Sequence, residues 1–339
     1  MPGSVQVNPS QPSLAKSEGR ATPIWDRYPK GERLAINFTL RCNIACAHCI
    51  VESSPHRRES LTGDEVRTAL LDGKRRGKQH VTFSGGEVFL HAPLMCELIA
   101  FATEHGYVVD VETNAFWAKT PAAATEKLQP FVDAGIGGLS LSADAYHVKY
   151  FPVDRPVNAA RAARSFGLVT EMNFCPSSEA DVDAGIIAAL DAAGEPYIYN
   201  ELLDRGRGRD LVQVGESRGV QALPDCDSLT RTVHATADVY ACCELDISTD
   251  AMKRTPVFLG SLRGDDETLT RQDEREHLVN AFYDPGSPIY FRTMVERHPL
   301  FRGLADRRFQ NICDFCMHAL GDPERVAALS DVLAEQPKR

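Results

Sequence analysis

The sequence predicts an α/β protein, a partial (β/α)6 TIM-like barrel of parallel strands followed by a smaller cysteine-rich domain. Three observations carry that expectation. Between Leu34 and Leu203, short apolar runs alternate six times with segments of helix length. Beyond the loop Arg205-Gly206-Arg207-Gly208-Arg209 that rhythm stops. Ten cysteines are present, and five of them stand in the last third, at positions 226, 242, 243, 313 and 316. The expected layout is a disordered tail over residues 1–27, a barrel over 28–205 and a second domain over 206–339.

Taken in order, Leu34–Leu40 reads as the first strand. Thr62 and Glu65 form a capping-box pair that opens a helix running to about Arg76. His80–Ser84 is the second strand, and Pro93 to about His105 a helix, with Cys96 as helix packing. Tyr107–Thr113 is the third strand, Pro121–Asp133 a helix, Leu139–Ala143 the fourth strand and Val157–Phe166 a helix. Leu168–Phe174, the helix Asp181–Ala193 and the strand Pro196–Leu203 complete the series. Repeated βα units imply parallel strands with right-handed crossovers, and in barrels of this kind chemistry gathers at the C-terminal strand ends. Alternation along the strands turns Asp110, Glu112, Asn114, Ser140, Ser142, Asp144, Glu171, Asn173 and Cys175 inward. An interior of that polarity is expected to hold a polar ligand.

Apolar content of 43% and charged content of 25% are those of a globular protein. A net charge of −10 argues against a nucleic-acid or anionic-membrane partner. No apolar run approaches the ~18 residues of a membrane span, and the first 23 residues lack a signal-peptide core. The expectation is therefore a cytoplasmic protein, in which ten cysteines are metal ligands sooner than disulfides.

The first strand runs into Arg41-Cys42-Asn43-Ile44-Ala45-Cys46-Ala47-His48-Cys49. Three thiolates leave one iron of a [4Fe–4S] cube open to a small molecule. The same residues read alternatively as a Cys3His zinc knuckle using His48. Gly85-Gly86-Glu87 follows the second strand, and paired glycines with a carboxylate suit close backbone approach to an ammonium group, though such a tripeptide is also a common turn. Ser142 and Asp144 end the fourth strand, where they read as ribose ligands or as a helix N-cap.

In this register the three motifs resemble the radical S-adenosylmethionine (SAM) superfamily. The resemblance implies that Cys42, Cys46 and Cys49 hold a [4Fe–4S] cluster and that SAM takes its open iron. It further implies that Gly85, Gly86 and Glu87 contact the methionyl amine, and that Ser142 and Asp144 contact the ribose hydroxyls. Thr113-Asn114 resembles the family's strand-three element and places Asn114 at the SAM pocket. Reductive cleavage of SAM then yields a 5′-deoxyadenosyl radical that abstracts hydrogen from an unactivated C–H bond. Arg207 and Arg209 sit where related sequences carry a GR-type turn, so Arg207 is a candidate for the SAM carboxylate, or part of a solvated loop. His147 is either a local hydrogen-bonding group or a substrate contact. Cys175 is either a small buried apolar residue or a hydrogen-atom donor to a substrate radical.

Cys226, Cys242-Cys243, and Cys313-x2-Cys316 form a second constellation. Asp238–Ala241 reads as the second arm of a hairpin, and adjacent strand residues face opposite ways, so only one of Cys242 and Cys243 is expected to meet the others. Four thiolates saturate either a [4Fe–4S] cube or a structural zinc. The layout resembles the twitch domain, the shortened SPASM-like extension of radical SAM enzymes, which implies one auxiliary [4Fe–4S] cluster. By resemblance to 2-deoxy-scyllo-inosamine dehydrogenase and to aminoglycoside- and sugar-modifying enzymes, the expected substrate is a small polar molecule of antibiotic biosynthesis. An amino sugar, aminocyclitol or nucleoside sugar would be dehydrogenated or epimerised, with decarboxylation or dehydration as variants. A flavodoxin- or ferredoxin-type electron donor is expected. Modification of a ribosomal peptide is the alternative, and a non-catalytic iron–sulfur or zinc protein is a third.

Overall fold

The computed structural model describes residues 24–212, 217–226, 229–243, 250–264 and 266–335. In chain order the first part comprises β1 (Arg33–Thr39), α1 (Gly63–Arg75), β2 (His80–Gly85), α2 (Ala92–Glu104), β3 (Val108–Thr113) and α3 (Pro121–Asp133). It continues through β4 (Gly138–Ser142), α4 (Ala145–Val148), α5 (Asp154–Ser165), β5 (Val169–Phe174), α6 (Ala180–Ala193) and β6 (Tyr197–Tyr199). The strands are mostly parallel and flanked by helices, the α/β TIM-like arrangement expected, and the C-terminal region is rich in cysteine.

The C-terminal part holds β7 (Arg218–Gly219), β8 (Arg231–Val233), β9 (Asp238–Tyr240), α7 (Asp250–Lys253), β10 (Phe258–Ser261) and α8 (Asp266–Phe282). After these come α9 (Phe291–Arg297), α10 (Pro299–Arg302), β11 (Arg308–Phe309), α11 (Ile312–Leu320) and α12 (Pro323–Ala334).

The chain parts into two compact units. One takes Pro29–Val109 with Leu203 onward; the other takes Asp110–Leu202 with the described residues up to Tyr28. In the first unit β1 is buried along its whole length and pairs parallel with β2, placing Leu34 beside Val81 and Ile36 beside Phe83. Its other edge pairs parallel with β8, with Leu34 beside Arg231. An apolar central strand needs both edges hydrogen-bonded, and β8 supplies the second from the C-terminal third. β9 and β10 extend this sheet antiparallel, giving the order β10–β9–β8–β1–β2. The β8–β9 hairpin is the one anticipated before Cys242.

Several polar side chains are buried in this unit. Arg231, 3% exposed, donates to Glu276 at 2.6 Å and to Asp72 at 3.0 Å, and Lys78 donates to Glu276 at 2.8 Å. The capping box of α1 is present, with Thr62 accepting from the Glu65 N–H and the Glu65 carboxylate accepting from the Thr62 N–H. Around α8, α9 and α11, Phe282, Phe291, Phe301 and Phe315 pack as an aromatic core.

The second unit runs β3–β4–β5–β6, all parallel. β6 covers only Tyr197–Tyr199 where Pro196–Leu203 was expected. It is an edge strand with one neighbour, held by edge-on packing of Tyr199 on Phe174 at 5.4 Å, and its pairing lapses where that packing ends. The inward polar residues on β4 and β5 satisfy one another: Ser140 donates to Glu171 at 2.8 Å, and Asn173 donates to the Ser140 hydroxyl at 2.5 Å. Part of the polarity read as a ligand-holding interior is thus a buried hydrogen-bond network. Ile24–Arg27, assigned to the tail, form a 3-10 turn instead; Ile24 is buried and its N–H donates to Glu171 at 2.6 Å. Residues 1–23 of that tail lie outside the described residues.

Candidate functional site

The loop after β1 carries three thiols with no disulfide among them. Cys42 and Cys46 are buried and Cys49 is half-buried. The loop is tied to itself: the Cys49 N–H donates to the Cys46 carbonyl at 3.2 Å, and the Ser53 N–H to the Cys49 sulfur at 3.4 Å. Burial above all pushes the Cys42 thiol up to about 12, with Glu87, Cys46 and Cys49 adding repulsion. Three sulfurs on one loop, with no disulfide to tie them up, repel one another when ionised unless a cationic centre binds them, so the donor set fits an iron–sulfur cluster.

Gly85-Gly86-Glu87 lies against the mouth of this loop. The Gly86 N–H donates to the Thr39 carbonyl at 2.6 Å, and the Glu87 N–H to the Arg41 carbonyl at 3.0 Å. A Cβ on Gly86 would stand 2.1 Å from the Arg41 carbonyl oxygen, so only glycine allows this approach. Glu87 is fully buried and caps the short 3-10 helix Val88–His91, its carboxylate accepting from the Phe89 N–H at 3.1 Å.

Arg207 belongs to the same assembly in a way its sequence context did not reveal. Its Nε donates to the Cys46 carbonyl at 2.9 Å and its guanidinium NH2 to the Ser53 carbonyl at 2.8 Å. Its backbone N–H donates to the Cys49 carbonyl at 3.2 Å. Neighbouring Gly206, with φ of +49°, lies so close that a Cβ would meet the Cys49 carbonyl oxygen at 2.6 Å. In this structure the loop read as a SAM-carboxylate contact, or as solvated, buckles the cysteine loop through these three bonds. The alternating glycines were its signal, since only they let the two backbones touch.

The residues expected to hold the nucleoside lie in the other unit. Asn114 accepts the Phe116 N–H at 3.1 Å, and Thr113 accepts both the Ala115 N–H and the Trp117 indole N–H at 3.1 Å. Ser142 is the last residue of β4 and half-buried. Asp144 is buried and caps α4, accepting from the Tyr146 N–H at 3.0 Å and the His147 N–H at 3.1 Å. Its carboxylate also meets His147 Nδ1 at 2.7 Å. Cys175 follows β5 at 4% exposure; burial, then Asp144, Asp183 and Glu201, push its thiol up to about 12. It therefore carries its hydrogen at neutral pH.

The C-terminal cysteines meet. Cys226, Cys242, Cys313 and Cys316 line one cavity, closed on its apolar side by Leu229, Val257, Val279 and Ile312. Cys313 and Cys316 share a face of α11, and Cys242 leaves β9 pointing inward. Cys243, half-exposed, does not line the cavity, so the geometry separates the adjacent pair as strand alternation requires. Four thiols converging in an apolar cavity fit a metal centre with four sulfur ligands. Two polar neighbours were missed: Lys30 donates to the Cys226 carbonyl at 2.7 Å, and Tyr283 lines the cavity. Both lie far from the cysteines in sequence, and no local pattern marks them.

Residues 36–172 match the family model described as Radical SAM superfamily. The chain is 25% identical over 302 residues to YydG of Bacillus subtilis, a protein named for peptide biosynthesis, covering 86% of this chain and 93% of that one. It is 24% identical over 195 residues to AlbA of Bacillus subtilis, the antilisterial bacteriocin subtilosin biosynthesis protein, covering 55% of this chain and 43% of AlbA. Among solved structures, native anSMEcpe with bound AdoMet aligns with a TM-score of 0.53 at 13% identity, over 88% of this chain and 99% of that one. Members of this superfamily bind SAM at a [4Fe–4S] cluster, and the three-thiol loop offers sulfur donors that suit such a cluster. Residues 36–172, the stretch that carries the three-thiol loop and the Gly-Gly-Glu turn, thus match the radical SAM superfamily.

Proposed function

We propose that this enzyme modifies a ribosomally made peptide by hydrogen abstraction. The supporting observation is kinship to YydG over almost all of both chains, reinforced by AlbA, since both are named for peptide products. No relative reported above supports the small polar sugar or aminocyclitol expected from sequence, so that substrate gives way to the alternative weighed beside it.

In this reading Cys42, Cys46 and Cys49 hold the cluster that binds SAM. Cys226, Cys242, Cys313 and Cys316 hold one auxiliary [4Fe–4S] cluster. Bound and reduced, the first centre supplies a 5′-deoxyadenosyl radical, which takes a hydrogen atom from a substrate C–H. Gly85 and Gly86 bring backbone to the methionyl end of SAM, while Asn114, Ser142 and Asp144 stand at strand ends suited to its nucleoside. Arg207 holds the cysteine loop in shape. Cys175, protonated and buried, is placed to return a hydrogen atom to a substrate radical, which would make the outcome epimerisation and leave a thiyl radical to be reduced by one electron from the external donor and a proton from solvent. Without that return, loss of one electron to the auxiliary cluster and one proton to solvent would give an oxidised product. A flavodoxin- or ferredoxin-type protein would supply the reducing electron, and the site of action would be the cytoplasm; among the described residues no helix is long and apolar enough to cross a membrane.

The test is anaerobic incubation of the reconstituted enzyme with SAM, dithionite and the short peptide encoded beside its gene. Peptide-dependent 5′-deoxyadenosine with a mass or stereochemical change in the peptide supports the proposal. Turnover of an aminocyclitol or sugar with no peptide turnover would overturn it, as would the absence of any SAM cleavage.

A further inference from the structure

Tyr283 has no role in the reading above, yet it lines the cavity of the four C-terminal cysteines. It is 6% exposed, its ring packed edge-on against Phe282 at 5.2 Å and tilted against Phe291 at 5.7 Å. Its hydroxyl oxygen is buried and, among the described residues, makes no hydrogen bond, although it is aimed into a cavity of thiols. What it faces is sulfur: Cys316, Cys226 and Cys313 line the same cavity, and Cys316 is the thiol that acts on the phenol most strongly.

Buried phenols almost always find an acceptor. A neutral thiol is a weak one, whereas a thiolate ligating a metal centre carries the charge that makes a good acceptor. We infer that Tyr283 donates a hydrogen bond to the Cys316 sulfur of the auxiliary cluster and so raises that cluster's reduction potential. The inference rests on the proposed auxiliary [4Fe–4S] cluster. Its sign follows from charge: reduction makes the cluster more negative, strengthens its sulfurs as acceptors, and a donor aimed at one of them stabilises the reduced form more than the oxidised. Arg205, a second positive influence on Cys316, acts in the same direction. Tyr283 is therefore a positioning and tuning residue, remote from substrate.

The test uses the full chain with Cys42, Cys46 and Cys49 changed to Ala, so that only the C-terminal cluster contributes. Iron and sulfide are counted and the midpoint potential is read by EPR-monitored redox titration. Tyr283→Phe is expected to keep about four irons and to shift the midpoint lower; 3-fluorotyrosine placed at 283, a stronger donor of nearly the same size, is expected to shift it higher. An unchanged midpoint in both would overturn the inference while leaving the cluster itself established. Should Tyr283→Phe fail to hold iron, the fluorotyrosine protein decides alone, by the direction of its shift. One zinc and no iron in the parent protein would instead overturn the cluster assignment, and the inference with it.

Discussion

Replacing Arg207 by Met separates two accounts of the loop it sits on. In the structure its guanidinium donates at 2.9 Å to the Cys46 carbonyl and at 2.8 Å to the Ser53 carbonyl, bracketing the last two cysteines of the motif. A hydrogen bond to a charged donor contributes about 1.5–3 kcal/mol, and the side chain is half-buried, so the lower end applies to each. Methionine fills the same space but leaves both carbonyls without that donor, which makes opening of the loop easier by roughly 2–3 kcal/mol, or about 30- to 150-fold in the open population. The readout is release of iron to a chelator from the reconstituted protein, followed by absorbance under anaerobic conditions. The first cluster should be lost tens of times faster in Arg207→Met, and Arg207→Lys should fall between the two. The second cluster should release iron at the parent rate. If Arg207→Met keeps iron as long as the parent and loses only affinity for SAM, the guanidinium serves the SAM carboxylate and the buckle account is wrong.

Other outcomes follow from the same geometry. Cys242→Ser should lower iron from about eight to about four per chain, while Cys243→Ser should leave it unchanged; the reverse result would move the ligand to the neighbouring position. Gly86→Ala should cost iron content as well as SAM affinity, because its Cβ would stand 2.1 Å from the Arg41 carbonyl at the mouth of the cysteine loop. Cys175→Ala should still form 5′-deoxyadenosine but not the product that needs a returned hydrogen; the same product at an undiminished rate would exclude Cys175 as donor. Burial pushes the Asp72 and Glu276 carboxyls up, but Arg76 and Arg231 beside Asp72, and Arg231 and Lys78 beside Glu276, outweigh it and hold both below the ordinary range. Their contribution is therefore complete above the unfolded carboxylate range near pH 4 and is lost as pH falls through the folded values. The urea midpoint should be flat from about pH 7 to 5 and drop below about 4, whereas Arg231→Met should lose about 1.5–3 kcal/mol at pH 7 by taking one cation from each of two buried carboxylates, Arg76 still pairing Asp72 and Lys78 still pairing Glu276.

What the sequence made legible was local. The capping box at Thr62 and Glu65, the helix Pro121–Asp133 and the parallel βα series follow from residues within one turn or one strand of each other. The spacing of Cys42, Cys46 and Cys49 likewise carries its chemistry within a single loop. What escaped was decided at long range. Nothing near Leu34 announces that Arg231 pairs beside it, and nothing near Arg207 announces a carbonyl of Cys46. The assignment between Cys242 and Cys243 was half legible: alternation said that one must turn away, and only the cavity shows which. Asp144 and Asn114 were read as nucleoside contacts, and in the bonds seen here they accept N–H groups of their own turns.

The parallel seam between β1 and β8 has a consequence for biogenesis. The segment that buckles the first cysteine loop is made 161 residues after Cys46, and the strand that covers the edge of β1 emerges later still. On the ribosome, the nascent first half has its nest of thiols but neither the clasp nor the flank that hold it shut. Iron delivered then would meet an open, oxidisable loop beside a bare strand edge, prone to pairing with other chains. Insertion of the metal should therefore follow release of the completed polypeptide, and a chain stopped at residue 205 should aggregate rather than assemble a lone half.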